Sequence, residues 1–431
     1  MNWHRSLVPA TALAVALAAS ATLPASAQTA PPAPAGDHQG PSYAESPVTA
    51  DTPGAPTGSK PESKLWFHDG AWWSVMYHPA SDGNRIFRLD IATQRWSATP
   101  TPVDDRNNAR ADVFWDRTHL YVASHVFDEY SDPPGNPVLS GTPSRLYRFS
   151  YNTTTDTWTR DAGFPVNMNG TASETLVMTK DSTGQLWSTW AQDYKVFVNR
   201  TTTGDTAWGN PFVLPVPEGS GLTADDISTI VSMPGAKVGV MWSNQTPDAF
   251  GNTTTWFSVH DDAAADETWG AAEAASTGPE ESDDHISLKT DSTTGRVLAA
   301  VKTNRNGNDA TLGRMLIRDA ATGAWTNTTI FRGRDKLTRP VLIVDLRTQR
   351  TFVFASTTNA PYDVYRMSAR LGTLDFGTAG RGRLVMHDDA NATTALNNVT
   401  GSKRSVASTT HMVVQASDDV NDRYWHAWQP L

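Results

Sequence analysis

The sequence predicts an all-β fold, a seven-bladed β-propeller of four-stranded antiparallel blades, and three observations carry that expectation. Strand-length apolar runs bounded by Gly, Asn, Asp and Thr recur along the chain, as at residues 72–77, 120–124, 238–243, 297–301 and 351–355, and a helical period is absent. A turn closing on an aromatic residue returns at intervals of 50 to 62 residues: Thr93-Gln94-Arg95-Trp96, Thr155-Asp156-Thr157-Trp158, Asp205-Thr206-Ala207-Trp208, Asp266-Glu267-Thr268-Trp269, Thr322-Gly323-Ala324-Trp325 and Leu374-Asp375-Phe376. A polar pair followed by an apolar strand and a turn Asp opens each repeat, as in Arg110-Ala111-Asp112-Val113-Phe114-Trp115-Asp116. Self-similarity at such a period is the signature of stacked supersecondary units.

The elements follow in chain order. His4 and Arg5 precede an apolar stretch at residues 7–23 and then Ala25-Ser26-Ala27. This is the layout of a secretory signal peptide over residues 1–27, cleaved after Ala27, and it predicts a secreted, extracellular or periplasmic protein. No later segment is apolar enough to span a bilayer. Residues 28–61 are rich in Pro, Ala, Gly and Thr and read as a flexible linker whose last part docks. The propeller is expected over residues 62–431. Its inner strands should begin near Ser63, Arg110, Thr175, Asp226, His285, Arg339 and Asn398. Each aromatic turn should open an outermost strand. The seventh repeat ends one strand short, so an N-terminal strand, placed just before Lys64, is expected to close it, because closure removes exposed sheet edges.

Composition narrows the function. The chain has no cysteine, which removes thiolate nucleophiles, thiolate metal sites and redox chemistry. A mature chain of about 400 residues can bury enough core without disulfides. The formal net charge of −10 disfavours nucleic acid as a partner. Sixteen tryptophans suit aromatic packing between blades and also the stacking of sugars. A monomer is expected. Phosphate loops, a His-x-x-x-His pair and a Gly-x-Ser-x-Gly elbow are absent.

Inner strands of a propeller line its channel, so the residues that open them should meet in one funnel. The expected ring holds Glu62 and Ser63, Arg110, Glu174 and Thr175, Asp225 and Asp226, Asp284 and His285, Thr338 and Arg339, and Asn397 and Asn398. His125, Gln192, Asn244 and Lys302 close second strands on the same face, with Tyr194 just beyond. Carboxylates sharing a funnel can split their pKa values, which glycoside hydrolysis requires of its acid and its base or nucleophile. Glu174, Asp225, Asp226 and Asp284 are the candidates, with His285 beside them. Arg110, Arg339, His125, Gln192, Tyr194, Asn244, Lys302 and Asn398 are the candidate substrate-binding groups. An alternative uses the same face as a polysaccharide lyase. There Arg would neutralise a uronate while His285, His125 or Tyr194 abstracts the adjacent proton. A third reading is a non-catalytic lectin or adhesin. No cofactor is required, although a divalent cation such as calcium could sit between the carboxylates. The turn residues Asp116, Asp181, Asp291 and Asp345 fall at the opposite end and read as structural.

Asp225-Asp226-Ile227-Ser228, Asp284-His285-Ile286-Ser287-Leu288-Lys289-Thr290-Asp291, the opening Lys64-Leu65-Trp66-Phe67-His68-Asp69-Gly70 and the closing Tyr424-Trp425-His426 resemble secreted bacterial propellers of the sialidase-like, BNR-repeat-like type. The resemblance runs over nearly the whole mature chain. It implies a glycan substrate and leaves the reaction open, because seven-bladed relatives include hydrolases and lyases. The chain departs from sialidases in two ways. The Asp box, Ser-x-Asp-x-Gly-x-x-Trp between third and fourth strands, is missing; Asp181-Ser182-Thr183-Gly184-Gln185-Leu186-Trp187 approaches it but lies between first and second strands. The ring also offers two arginines where a sialidase uses three. Sialic acid is therefore not the expected substrate.

Overall fold

A computed structural model describes residues 36–44, 56–58, 60–127, 141–377 and 380–431. The expected signal peptide lies outside the described residues, as does Tyr130. Alternation of apolar and polar residues over short spans, broken by turn residues, leaves strands as the regular structure available. The described chain folds into 30 strands and three single-turn 3-10 helices. No helix among the described residues is long and apolar enough to cross a membrane.

The strands form seven antiparallel sheets, six of them built from consecutive segments with the innermost first and the seventh completed by an N-terminal strand. The inner strands are Leu65–His68, Ala109–Trp115, Val177–Lys180, Ser228–Met233, Ile286–Thr290, Leu337–Asp345 and Leu396–Thr400. The ring residues expected from the sequence stand within three residues of these openings, before the strand in blades 1, 3, 4 and 5 and just inside it in blades 2, 6 and 7. Trp96, Trp158, Trp208 and Trp325 lie in outermost strands as expected. In blades 2 and 3 that outer strand is broken in two, Thr157–Arg160 with Val166–Asn167 and Ala207–Trp208 with Phe212–Val213. Trp269 and Phe376 open no strand: Trp269 makes a single bridge with His260, and the outer strands of blades 4 and 6 are Glu273–Gly278 and Arg383–Met386.

Blade 7 closes with an N-terminal strand, but not with the residues just before Lys64. Gly36–Ser42 pairs antiparallel with Arg423–Pro430 and is the outermost strand. That strand lies inside the stretch read as linker. Its composition hid it, because an edge strand gains its stability from ladder bonds and from Tyr43, which is fully buried against Tyr424 with ring centroids 5.1 Å apart. Residues 56–58 and 60–64 instead run into the channel.

The core lies between adjacent sheets. Trp66, Trp73, Trp115 and Trp158 interlock between blades 1 and 2, mostly edge to face with Trp158 at 5.3 to 5.8 Å. Aromatic pairs in this geometry add about 0.5–1.5 kcal/mol beyond their burial. Trp72, Trp187, Trp190 and Trp242 are also fully buried. Gly239 on the second strand of blade 4 lets Phe257 lie flat beside it, where an added Cβ would meet the ring at 2.1 Å. The turn aspartates cap the lower ends of the inner hairpins. Asp116 accepts the amides of Thr118 and His119 at 2.7 Å, and Asp181, Asp291 and Asp345 accept those of Thr183, Thr293 and Arg347 at 2.9, 3.0 and 2.9 Å.

Candidate functional site

The inner strands of blades 3, 4 and 5 open with Glu174, Asp225 and Asp284, and their carboxylate oxygens lie within 4.8 Å of one another. Lys60 enters this cluster from the N-terminal segment. Its ammonium donates to Glu174 and Asp284 and stands 3.3 Å from Asp225. Glu174 and Asp284 are 11% and 9% exposed, while Asp225 is 53% exposed and marks the side that meets solvent. Lys60 was hidden in the sequence because it belongs to the stretch read as linker. The only Lys or Arg in residues 28–61, just before the first blade, was the available signal.

Burial and charge then separate these carboxylates. Burial pushes Glu174 up to about 7, with Asp284 adding to the rise and Lys60 opposing it. Its Oε2 is buried and has no hydrogen-bond partner among the described residues, an environment that disfavours the charged form. Burial also raises Asp225, against Lys60. For Asp284, burial is outweighed by His285 and Lys60, which hold it well below the ordinary carboxylate range. Burial likewise works against the charge on Lys60, yet Glu174, Asp284 and Asp225 hold it above the usual ammonium range.

His285 is fixed by its neighbours. Its Nδ1 bonds Asp283 at 2.7 Å and Asp284, and Asp283 in turn accepts from Lys302 at 2.6 Å. Burial would discharge the ring, but Asp284 and Asp283 raise its pKa. Its Nε2 is buried without a partner among the described residues. Asp283 was not among the expected site residues, although its position beside Asp284 in the ring register could have brought it in. Lys302 serves Asp283 here, so it is not presented to the funnel as a free cation.

Asp226 takes a different part from its neighbour Asp225. Its carboxylate accepts the amide and hydroxyl of Thr223 at 2.7 and 2.9 Å and the amide of Gln245 at 3.1 Å. It is buried and ties two loops together, while Asp225 reaches the cluster. His125 is fully buried, bonding Glu62 at 2.6 Å and the carbonyl of Ser173 at 2.8 Å. Gln192 accepts from Trp190 Nε1 at 3.0 Å, and Asn244 accepts the Thr246 amide at 3.0 Å. Arg110 lies 3.7 Å over the ring of Phe127.

The funnel is divided rather than open. Residues 56–58 and 60–64 separate three small crevices: one lined by Glu174, Gln192, Tyr194 and Asp226, one by Lys64, Tyr77 and Arg110, and one by Lys60, His285, Arg339 and Asn398. Arg110 and Arg339 therefore do not share a cavity. The ring register places them at equal heights, but the sequence pattern did not show that the docked segment runs between them. The three carboxylates could also hold a divalent cation if Lys60 withdrew, since hard oxygen donors at this spacing suit calcium.

No protein-family model and no curated protein matches the sequence. Solved structures match its architecture. A Hadza microbial sialidase, Hz136, is 12% identical over 75% of this chain and 66% of its own, with a TM-score of 0.43. A Penicillium chrysogenum α-L-arabinanase complexed with arabinobiose is 11% identical over 73% of this chain and 94% of its own, with a TM-score of 0.45. A puromycin hydrolase is 14% identical over 86% of this chain and 52% of its own, with a TM-score of 0.40. The chain thus spans just under two thirds of that sialidase and about half of that puromycin hydrolase.

Proposed function

We propose that the protein is a carbohydrate-active enzyme that cleaves glycosidic bonds by hydrolysis, with Glu174 as acid and Asp284 as nucleophile. The observation that carries this reading is the divergence of two carboxylates in one cluster: Glu174 is pushed up to about 7 and Asp284 is held ionised. A protonated acid beside a permanently charged carboxylate is what an oxocarbenium-like transition state requires on its two sides. Lys60 sits on both carboxylates, and its flexible stem lets an incoming sugar displace the ammonium. Asp225, on the open side, can accept from a sugar hydroxyl. The convergence of blades 3, 4 and 5 on one composite cluster favours a single site over the repeated pockets of a lectin.

The lyase alternative is weaker at two of its three candidate bases: Asp283 and Asp284 hold His285 toward the charged form, and His125 is fully buried with both ring nitrogens bonded, which leaves Tyr194. The protein is also proposed to act outside the cell, following the N-terminal pattern of residues 1–27. The test is a screen of Glu174→Gln and Asp284→Asn beside the native protein for reducing ends released from neutral and acidic polysaccharides. Hydrolysis should fall by about 100-fold or more in each variant, the scale of general acid–base and nucleophilic contributions. Full activity in both variants would remove this pair from the mechanism. An unsaturated uronate product would replace hydrolysis by elimination.

A further inference from the structure

The largest cavity among those described is not at the carboxylate face. It lies at the lower mouth of the channel, where the inner strands end, and has a volume of about 560 Å³. Five cations line it: Arg117, Lys180, Lys289, Lys403 and Arg404. Only two carboxylates do so, Asp116 and Asp181, in a chain whose net charge is −10. Both are engaged. Asp116 accepts from Lys180 at 2.6 Å, and Asp181 accepts the Thr183 amide and hydroxyl, the Gln185 amide and the Trp187 indole at 2.7 to 2.9 Å. Lys403 is paired with Asp112 behind the cavity wall.

Three cations are then left without an ion pair among the described residues, although Asp112 acts on Lys289 and Asp116 on Arg404 from farther away. Lys289 is 7% exposed and makes one hydrogen bond, to the Ser402 carbonyl at 2.8 Å, from an ammonium with three donors. Burial and the adjacent Lys403 push it down to about 7. Arg117 and Arg404 form no ion pair among the described residues, and Arg404 is held below its ordinary range by burial and by Arg117. A buried ammonium without a directly paired carboxylate is costly, and an anion is what would compensate it. Beside this cavity runs a second one of about 420 Å³ that shares Arg117, Lys403 and Arg404, is walled by Phe67, His68 and Trp115, and holds one carboxylate, Asp69, at its rim.

We propose that the lower mouth is a binding site for an acidic oligosaccharide, its carboxylate or sulfate groups held by Lys289, Arg404 and Arg117 and its sugar faces laid against the partly exposed rings of Phe67 and His68. The paired cavities suit a ligand of several sugar units. Planar guanidinium groups bind carboxylate and sulfate oxygens in a fixed fork, and the aromatic wall supplies the apolar contact that a free inorganic anion cannot use. This site is independent of the carboxylate cluster, which belongs to the other end of the channel.

Calorimetric titration of the full chain with four probes tests it: a galacturonate tetramer, a sulfated galactan tetramer, a neutral galactan tetramer and inorganic sulfate. At least one acidic tetramer should bind, more weakly as salt rises, and more tightly than inorganic sulfate; the neutral tetramer should not. Whichever acidic tetramer binds more tightly identifies the oxyanion. The double variant R117A/R404A, at the cavity rim, should weaken binding at least tenfold, and K289M should do the same. Because Lys289 is buried, the rim variant keeps the test valid if K289M fails to fold. Glu174→Gln should bind as the native protein does. Binding that survives the rim variant, equal binding of the neutral tetramer, or no binding of either acidic tetramer would overturn the assignment.

Discussion

Glu62 Oε1 receives a hydrogen bond from His125 Nε2 at 2.6 Å, with both side chains fully buried. This contact joins the N-terminal segment to the inner hairpin of blade 2. The same carboxylate accepts the Leu176 amide at 3.0 Å and, through its other oxygen, Lys64 at 2.8 Å, so one side chain ties the segment to blades 2 and 3. Lys60, two residues upstream, is held in the carboxylate cluster as a consequence. Burial opposes the charge on Glu62, but Lys64 and His125 outweigh it and pull the group down from 4.5 to about 2. A depressed carboxylate contributes stability that is fully present above its unfolded value, near 4.5, and is lost as the pH falls from there toward about 2. Glu62→Gln should therefore be less stable at pH 7, and its urea midpoint should change less between pH 7 and pH 3 than that of the native chain. Equal acid sensitivity in the two proteins would refute the assignment.

The pH profile of the proposed hydrolysis follows from Glu174. Burial pushes it up to about 7. As the acid it must be protonated, so kcat/KM should fall as the pH rises through about 7, since that ratio reports groups in the free enzyme. The Lys60 ammonium lowers the Glu174 value, so Lys60→Met should move this alkaline limb to higher pH. A limb that stays in place would show that Lys60 does not act on the titrating group.

Asp225 and Asp226 should separate cleanly by mutation. Asp226 holds Thr223 and Gln245 through buried hydrogen bonds. Asp226→Ala leaves those donors without an acceptor and should cost about 1–3 kcal/mol in a denaturant titration. Asp225 is half exposed and supports no such network, so Asp225→Asn should leave stability within about 0.5 kcal/mol. In a reducing-end assay Asp225→Asn should lower activity, and activity per folded molecule should be retained in Asp226→Ala.

Much of this site was legible because propeller geometry turns a repeat register into a ring. The spacing of the aromatic turns sets the blades, and the blades bring Glu174, Asp225 and Asp284 together from segments over a hundred residues apart. What the pattern could not carry was the direction of each side chain at the point where a strand begins. Asp225 and Asp226 share one turn signature, but only backbone coordinates show that one faces the cluster and the other its own loop. Lys60 and the strand Gly36–Ser42 were hidden for a related reason. Composition reports whether a stretch can form its own core, and these residues borrow theirs from blades already built. Arg110 and Arg339 stand in register, but the chain that runs between them is set by long-range contacts such as Glu62–His125.

Closure of the ring rests on the same borrowed contacts and provides a direct test. Gly36–Ser42 covers the edge of Arg423–Pro430, and Tyr43 anchors its end with a hydroxyl bond to the Asp418 carbonyl at 2.7 Å. An uncovered strand edge is a template for association between chains. Tyr43→Ala removes a fully buried ring and should cost about 3–5 kcal/mol, the range for large aromatic truncations. Tyr43→Phe keeps the ring and gives up one hydrogen bond, so it should cost about 1–2 kcal/mol. If closure is what Tyr43 secures, light scattering during mild heating should rise earlier in the alanine variant than in the phenylalanine variant. A synthetic peptide of residues 36–44 added in trans to a chain lacking them should delay that rise. Failure of the peptide to protect, with the truncated chain otherwise folded, would show that the seventh blade stays closed without its N-terminal strand.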